Sequence, residues 1–248
     1  MRTVHFFLAG FAVVALMVVA QEPLRGPDGG TSVHISGIVV LPIPEKPFSG
    51  MDTIVVTYML QDGNTMSRRV DAKVARDSQG RVYREDHNFV PANSHDLSPL
   101  YEIHLYDPVA KAQLFCYARS YRCDLTDYKP QASFEPTPEG SYDHGTRTLT
   151  REQLGSDVIE GINVIGTRET MTVGAGAVGN DRPIVSTREY WYSDALQTNL
   201  AVTRTDAAGG KQVIHLHDIS RTEPDPHLWD IPAGFKVRDL RTSARRAR

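Results

Sequence analysis

VGAGAVGN, residues 173–180, carries the pattern G-x-G-x-x-G at Gly174, Gly176 and Gly179. That spacing cradles a dinucleotide pyrophosphate only where the glycines follow a strand and open a helix, whose N-terminal amides hold the phosphate. The upstream half fits, because residues 167–173 read as a strand. The downstream half does not. Asn180, Asp181 and Pro183 follow at once, and proline is a poor helix-interior residue. Residues 184–192 are then rich in β-branched and aromatic side chains, which makes them a second strand. The stretch is expected to be a glycine-rich loop joining two strands, and no nucleotide or other cofactor is expected.

Strand-like runs recur on both sides of it. Residues 34–41, 53–60, 67–74, 81–85, 101–106, 112–117, 199–204 and 211–219 are all rich in alternating or β-branched apolar residues. Turn signals separate them: Asp62-Gly63-Asn64, Asp77-Ser78-Gln79-Gly80 and Asp107-Pro108. Helical periodicity is scarce. The one helical turn expected lies in Asp225-Pro226-His227-Leu228-Trp229, where Asp225 caps and Pro226 takes the first position. Residues 128–146 hold Pro130, Pro136 and Pro138 and read as a long excursion. The fold class expected is mainly β: one large curved antiparallel sheet or half-open barrel with few short helices.

The N-terminus reads as a secretory signal peptide over residues 1–20. It has a short basic start at Arg2, an apolar run over residues 6–20, and Val18 and Ala20 before Gln21. That run of about 15 residues is short for a membrane span, which needs about 20, so cleavage before Gln21 is expected. Residues 21–32 form a Pro/Gly-rich flexible lead-in, residues 33–238 a single β-rich domain, and residues 239–248 a basic tail. Loss of Arg2 takes the basic count from 27 to 26 against 30 acidic residues, a net charge of −4. A mildly acidic chain has no general basis for binding nucleic acid. The expected location is the periplasm or the cell exterior.

Cys116 and Cys123 are the two cysteines. In an exported protein an even count suggests a disulfide. A chain reversal at Arg119-Ser120 sets the two opposite each other, within reach of a bridge after a small adjustment by twist.

Five stretches together carry a resemblance. They are RDSQGRVYRE (76–85), LYDPVAKAQLFCY (105–117), LGSDVIEGINVIGTRETMTVGAGAVGNDRPI (154–184), STREYWYSDALQTNL (186–200) and EPDPHLWDIPAGFKV (223–237). They resemble a group of exported, uncharacterised bacterial proteins whose β-rich body is similar to the lipoprotein-carrier (LolA-like) fold. The resemblance covers about residues 33–238. It implies a half-open antiparallel barrel capped by short helices; the carriers themselves hold acyl chains in the hollow. A related regulatory domain senses envelope stress. No carrier motif matches residue by residue, so the resemblance implies a fold and no binding site.

Chemical motifs are few. G-x-S-x-G, H-E-x-x-H, a Walker loop and C-x-x-C are all missing from the sequence. His215 and His217 alternate onto one strand face, but two histidines do not make a metal site, and no metal is expected. The carboxylates Glu85, Glu160, Glu169 and Glu189 have no readable pairing. The reading is a non-catalytic binding protein holding a lipid or other hydrophobic ligand, with Tyr58, Trp191 and Trp229 as wall or lid residues. A lipidated protein or a membrane-anchored protein is the expected partner. The alternatives are a non-catalytic envelope interaction or stress-sensing module, and a metal-dependent enzyme.

Overall fold

The structure, a computed structural model, describes residues 37–130, 136–207 and 210–242. The expected signal peptide, the lead-in and the last residues of the basic tail lie outside these.

The described residues form strands β1 (Phe48–Met59), β2 (Thr65–Arg76), β3 (Val82–His87), β4 (Val90–Pro91), β5 (Leu100–Asp107), β6 (Ala112–Tyr117) and β7 (Arg122–Asp127). They continue through β8 (Gly140–Tyr142), β9 (Arg147–Ile159), β10 (Ile162–Val173), β11 (Ile184–Ser193), β12 (Thr198–Thr205), β13 (Lys211–Ser220) and β14 (Lys236–Asp239). All belong to one sheet, ordered β14-β7-β6-β5-β3-β2-β1-β13-β12-β11-β10-β9-β8, with β4 paired to β2. The sheet is not closed, so the architecture is the large curved sheet or half-open barrel expected. Two meanders meet at β1 and β13, which pair antiparallel over Ser49–Thr57. Every pairing is antiparallel except β14 with β7.

Alternation divides the side chains between two cores. On the inner face Phe48, Ile54, Val70, Val74, Val82, Val202, Ile214 and Leu216 are buried together. Ala75, Tyr83, Ile103, Leu105 and Leu114 bury on the outer face, where Leu228, Trp229 and Phe235 cover them. Neighbours Val74 and Ala75 therefore enter different cores, as a period of two requires. Each fully buried aliphatic side chain contributes about 1.5–3 kcal/mol.

Local turn chemistry forms as read. The VGAGAVGN stretch joins β10 to β11 without a helix. Gly176 and Gly179 adopt positive φ of 78° and 84°, and the Asn180 amide staples the loop by donating to the Gly174 carbonyl at 2.9 Å. Residues 226–229 make a single 3-10 turn, with the Asp225 side chain accepting from the His227 amide. Part of the 128–146 excursion is ordered differently from expectation, because β8 pairs with β9 there.

Cys116 and Cys123 are register partners across β6 and β7, both fully buried, and are joined by a disulfide. The reversal is a 3-10 turn at Ala118–Ser120, completed by Tyr121 in the left-handed region. With a separation of seven residues, the closed loop contributes about 2.5 kcal/mol. The Cys116→Ser/Cys123→Ser variant is expected to lose about that much in urea unfolding. A variant as stable as the wild type would contradict this.

One sequence expectation is corrected. Residues 34–41 read as a strand, yet the described part, Gly37–Leu41, joins no ladder. It lies as a strap against the inner core, with Ile38 and Val40 buried. Its backbone groups find side chains instead of a neighbouring strand. Asp52 Oδ2 accepts the Ile38 N–H at 2.8 Å, and Arg84 Nη1 donates to the Ile38 carbonyl at 2.9 Å. Thr198 Oγ1 donates to Val39, and Arg76 Nη1 to Leu41, each at 2.9 Å.

Candidate functional site

The strap divides the inner face into two solvent-open hollows. The first, about 460 Å³, lies over β9–β12. Val39, Leu41, Pro136, Ile165, Tyr190 and Tyr192 form its apolar wall, and Gln153, Thr167, Gln197, Thr198 and Asn199 its polar positions. Arg151 and Glu169 lie at its base. Glu169 is buried; its Oε2 accepts the Tyr190 hydroxyl at 2.9 Å, and its Oε1 forms an ion pair with Arg151. Arg151 also donates to the Thr137 carbonyl at 2.9 Å. The charges at this base neutralise each other, so it offers hydrogen-bonding capacity without net charge.

The second hollow, about 400 Å³, lies over β1–β5 on the other side of the strap. Ile38, Val40, Ile54, Val70, Phe89 and Tyr106 supply apolar wall, and Arg84, Asp86 and His104 supply charge. Beneath it Asp52 is fully buried, 3.7 Å from Arg84, and its Oδ1 has no hydrogen-bond partner among the described residues. Burial pushes the Asp52 carboxyl above its ordinary range, with Arg84 and the Ile38 amide pulling the other way. Burial works against the Arg84 charge as well, but Asp52 and Asp86 outweigh it and hold the guanidinium above its usual value. Gly37 is needed for this close packing. A Cβ there would sit 2.0 Å from Asp52 Oδ2 and 2.6 Å from Arg84 Nη2.

Arg76 anchors the far end of the strap. It is fully buried and donates to the carbonyls of Lys46, Leu41 and Leu196, with its guanidinium over the Phe48 ring. Burial lowers its pKa to about 10, so it stays charged at neutral pH.

The aromatic residues chosen from sequence lie elsewhere. Tyr58 sits near the end of β1 and is partly exposed. The Trp191 ring closes over Gly166, which alternation places opposite Ile165 and Thr167. Trp229 covers the outer core and lies under the Arg81 guanidinium at 4.7 Å. None of the three lines either hollow.

His215 and His217 do share a face, with ring centroids 5.8 Å apart. His217 is engaged through both nitrogens, with Thr53 Oγ1 and with Asp218 Oδ2, each at 2.9 Å. Among the described residues this pair gathers no third ligand; Asp86, Glu102 and His104 do converge. Sequence reading missed that group, although the alternation in Tyr101-Glu102-Ile103-His104 places Glu102 and His104 on one face. The missing signal was Asp86, brought opposite by the pairing of β3 with β5. Two basic residues near the C-terminus, Arg238 and Arg241, are also held: Arg238 makes two bonds to Asp124, and Arg241 pairs with Asp239.

No protein-family model and no curated protein sequence matches the chain. Solved structures similar to it include an uncharacterized conserved protein from Thermus thermophilus, at 11% identity over 78% of this chain and 90% of that one, with a TM-score of 0.39. A putative outer membrane lipoprotein-sorting protein domain from Vibrio parahaemolyticus aligns at 10% identity over 75% and 91%, with a TM-score of 0.29. A LolA superfamily protein from Nitrosomonas europaea aligns at 11% identity over 75% and 91%, with a TM-score of 0.25. No site residue is carried over from them.

Proposed function

We propose that this chain is an exported envelope protein that holds a lipid or other hydrophobic ligand against the inner face of its open sheet. The observation that carries this reading is the first hollow: about 460 Å³, open to solvent, with an apolar wall and a neutral hydrogen-bonding base. Ligand sites typically enclose about 300–1,000 Å³ with a few placed polar groups. A neutral base suits an apolar chain or an uncharged amphipathic molecule, and each methylene buried contributes about 0.8 kcal/mol. A lipidated or membrane-anchored partner would deliver or receive such a ligand. The disulfide supports an oxidising compartment, and with residues 1–20 as a cleaved leader the protein acts in the periplasm or outside the cell. No catalytic step is assigned.

Ile165, which lines the first hollow and is 55% exposed, provides the test. Protein purified from its exporting host is expected to carry extractable lipid, and to bind a fluorescent fatty-acid probe. Ile165→Asp should weaken probe binding at least roughly tenfold, since it sets a charge against an apolar wall. Lipid-free protein that ignores the probe would favour a second reading, a non-catalytic protein-interaction or stress-sensing module. The strap filling the middle of the inner face is the feature that favours that alternative.

A further inference from the structure

We infer that Asp86, Glu102 and His104 form a divalent-cation site, with Zn²⁺ the fitting ion, at the edge of the second hollow. β3 and β5 pair antiparallel so that Asp86 faces Glu102 and Arg84 faces His104. Alternation turns Glu102 and His104 to one face. His104 Nε2 lies 3.1 Å from Glu102 Oε2 and 3.4 Å from Asp86 Oδ2. All three ligand atoms lie within 4.8 Å of one another. Donors about 2.0–2.2 Å from a tetrahedral zinc stand roughly 3.4 Å apart. Two of the three separations already match, and rotation of a carboxylate closes the third.

Three further features point to an ion. His104 Nε2 is buried between the carboxylates and makes no well-aligned hydrogen bond. The surroundings hold the ligands in place: Arg84 Nε takes Asp86 Oδ1 at 3.0 Å, leaving Oδ2 to face the histidine. Tyr106 Oη lies 3.3 Å from His104 Nδ1, and the imidazole packs edge-on against Phe115 at 4.8 Å. Such outer partners fix the orientation of a metal-binding imidazole. The charges then fail to balance, because Arg84 is shared by Asp52 and Asp86, while Glu102 faces only His104 and has no Arg or Lys ion pair among the described residues. The Glu102 side chain is only 14% exposed and that of His104 18%. A dication supplies the missing charge where solvent does little to screen it. One imidazole and two carboxylates suit zinc better than calcium or magnesium, which take all-oxygen sets. The second hollow reaches Asp86 and His104, giving the ion an access path and leaving a fourth position for water.

The test uses protein purified from its exporting host without a histidine tag, stripped with chelator, and titrated with ZnCl₂ against a chromophoric competitor. One equivalent should bind and raise the melting temperature. Glu102→Gln and His104→Gln should each weaken binding roughly 100-fold or more and abolish the thermal shift, while His215→Ala/His217→Ala leaves both unchanged. Absence of stoichiometric uptake overturns the site. So does uptake that survives Glu102→Gln, or uptake that disappears with His215 and His217. Should the Glu102 and His104 variants not fold, X-ray absorption of the zinc-loaded wild type decides. One imidazole among oxygen ligands supports the site, and two or more imidazoles overturn it.

Discussion

Arg76→Ala is expected to lower the unfolding free energy by about 4 kcal/mol, the range for breaking a buried charged network. Arg76 is fully buried and its guanidinium serves three backbone carbonyls, those of Lys46, Leu41 and Leu196. Truncation leaves all three without their donor, and each buried unsatisfied group costs about 1–3 kcal/mol. It also removes the cation stacked on Phe48. Folded domains have only about 5–15 kcal/mol in hand, so the loss should appear as a large fall in urea midpoint. Arg76→Lys is expected to recover part of it, since an ammonium keeps the charge but lacks the planar fork that reaches three separate oxygens. An alanine variant within about 1 kcal/mol of the wild type would show that these bonds are replaced by water.

Asp52→Ala is expected to release the strap. Its Oδ2 is the acceptor for the Ile38 amide and the near neighbour of Arg84. Removing one partner of a buried ion pair costs about 3 kcal/mol or more. At about 1.4 kcal/mol per factor of ten, amide hydrogen exchange at Ile38 should speed up roughly 100-fold. The hollows on either side of the strap would then become continuous, so uptake of the fatty-acid probe should rise. Asp52→Asn should cost less, because the amide oxygen still accepts from Ile38. The asparagine variant also loses the pH dependence of this group. Burial raises the Asp52 carboxyl above the ordinary 3.8, so the native state holds that proton longer than the unfolded chain. Wild-type stability from this group is therefore present below the ordinary value and lost as pH rises through the folded one. The asparagine variant should not show that fall. Unchanged Ile38 exchange in Asp52→Ala would mean that Arg84, Thr198 and Arg76 hold the strap without it.

Sequence alone determined the features whose physics is local. Asn180, Asp181, the proline at 183 and the β-branched run after it argued against a phosphate-binding helix, and β10 joins β11 without one. Asp225 before Pro226 dictated a capped turn. Seven residues and a reversal placed Cys116 opposite Cys123. Period-two apolar patterning made the chain a sheet. Tertiary structure decided whatever depended on partners distant in sequence. The strap had the composition of a strand, but which groups meet its backbone depends on Asp52, Arg76, Arg84 and Thr198, which lie up to 159 residues away. Trp191 and Trp229 are apolar wherever they stand, and only the position of Gly166 and the path of residues 221–235 kept them out of the hollows. β14 carries no mark of parallel pairing; it is set against β7 where Arg238 meets Asp124. Asp86 lies 16 and 18 residues before Glu102 and His104, a spacing that carries no signal. The register of β3 on β5 turns those three into one site, because buried charges must find their counterparts across the sheet and a linear pattern does not say which strands will be neighbours.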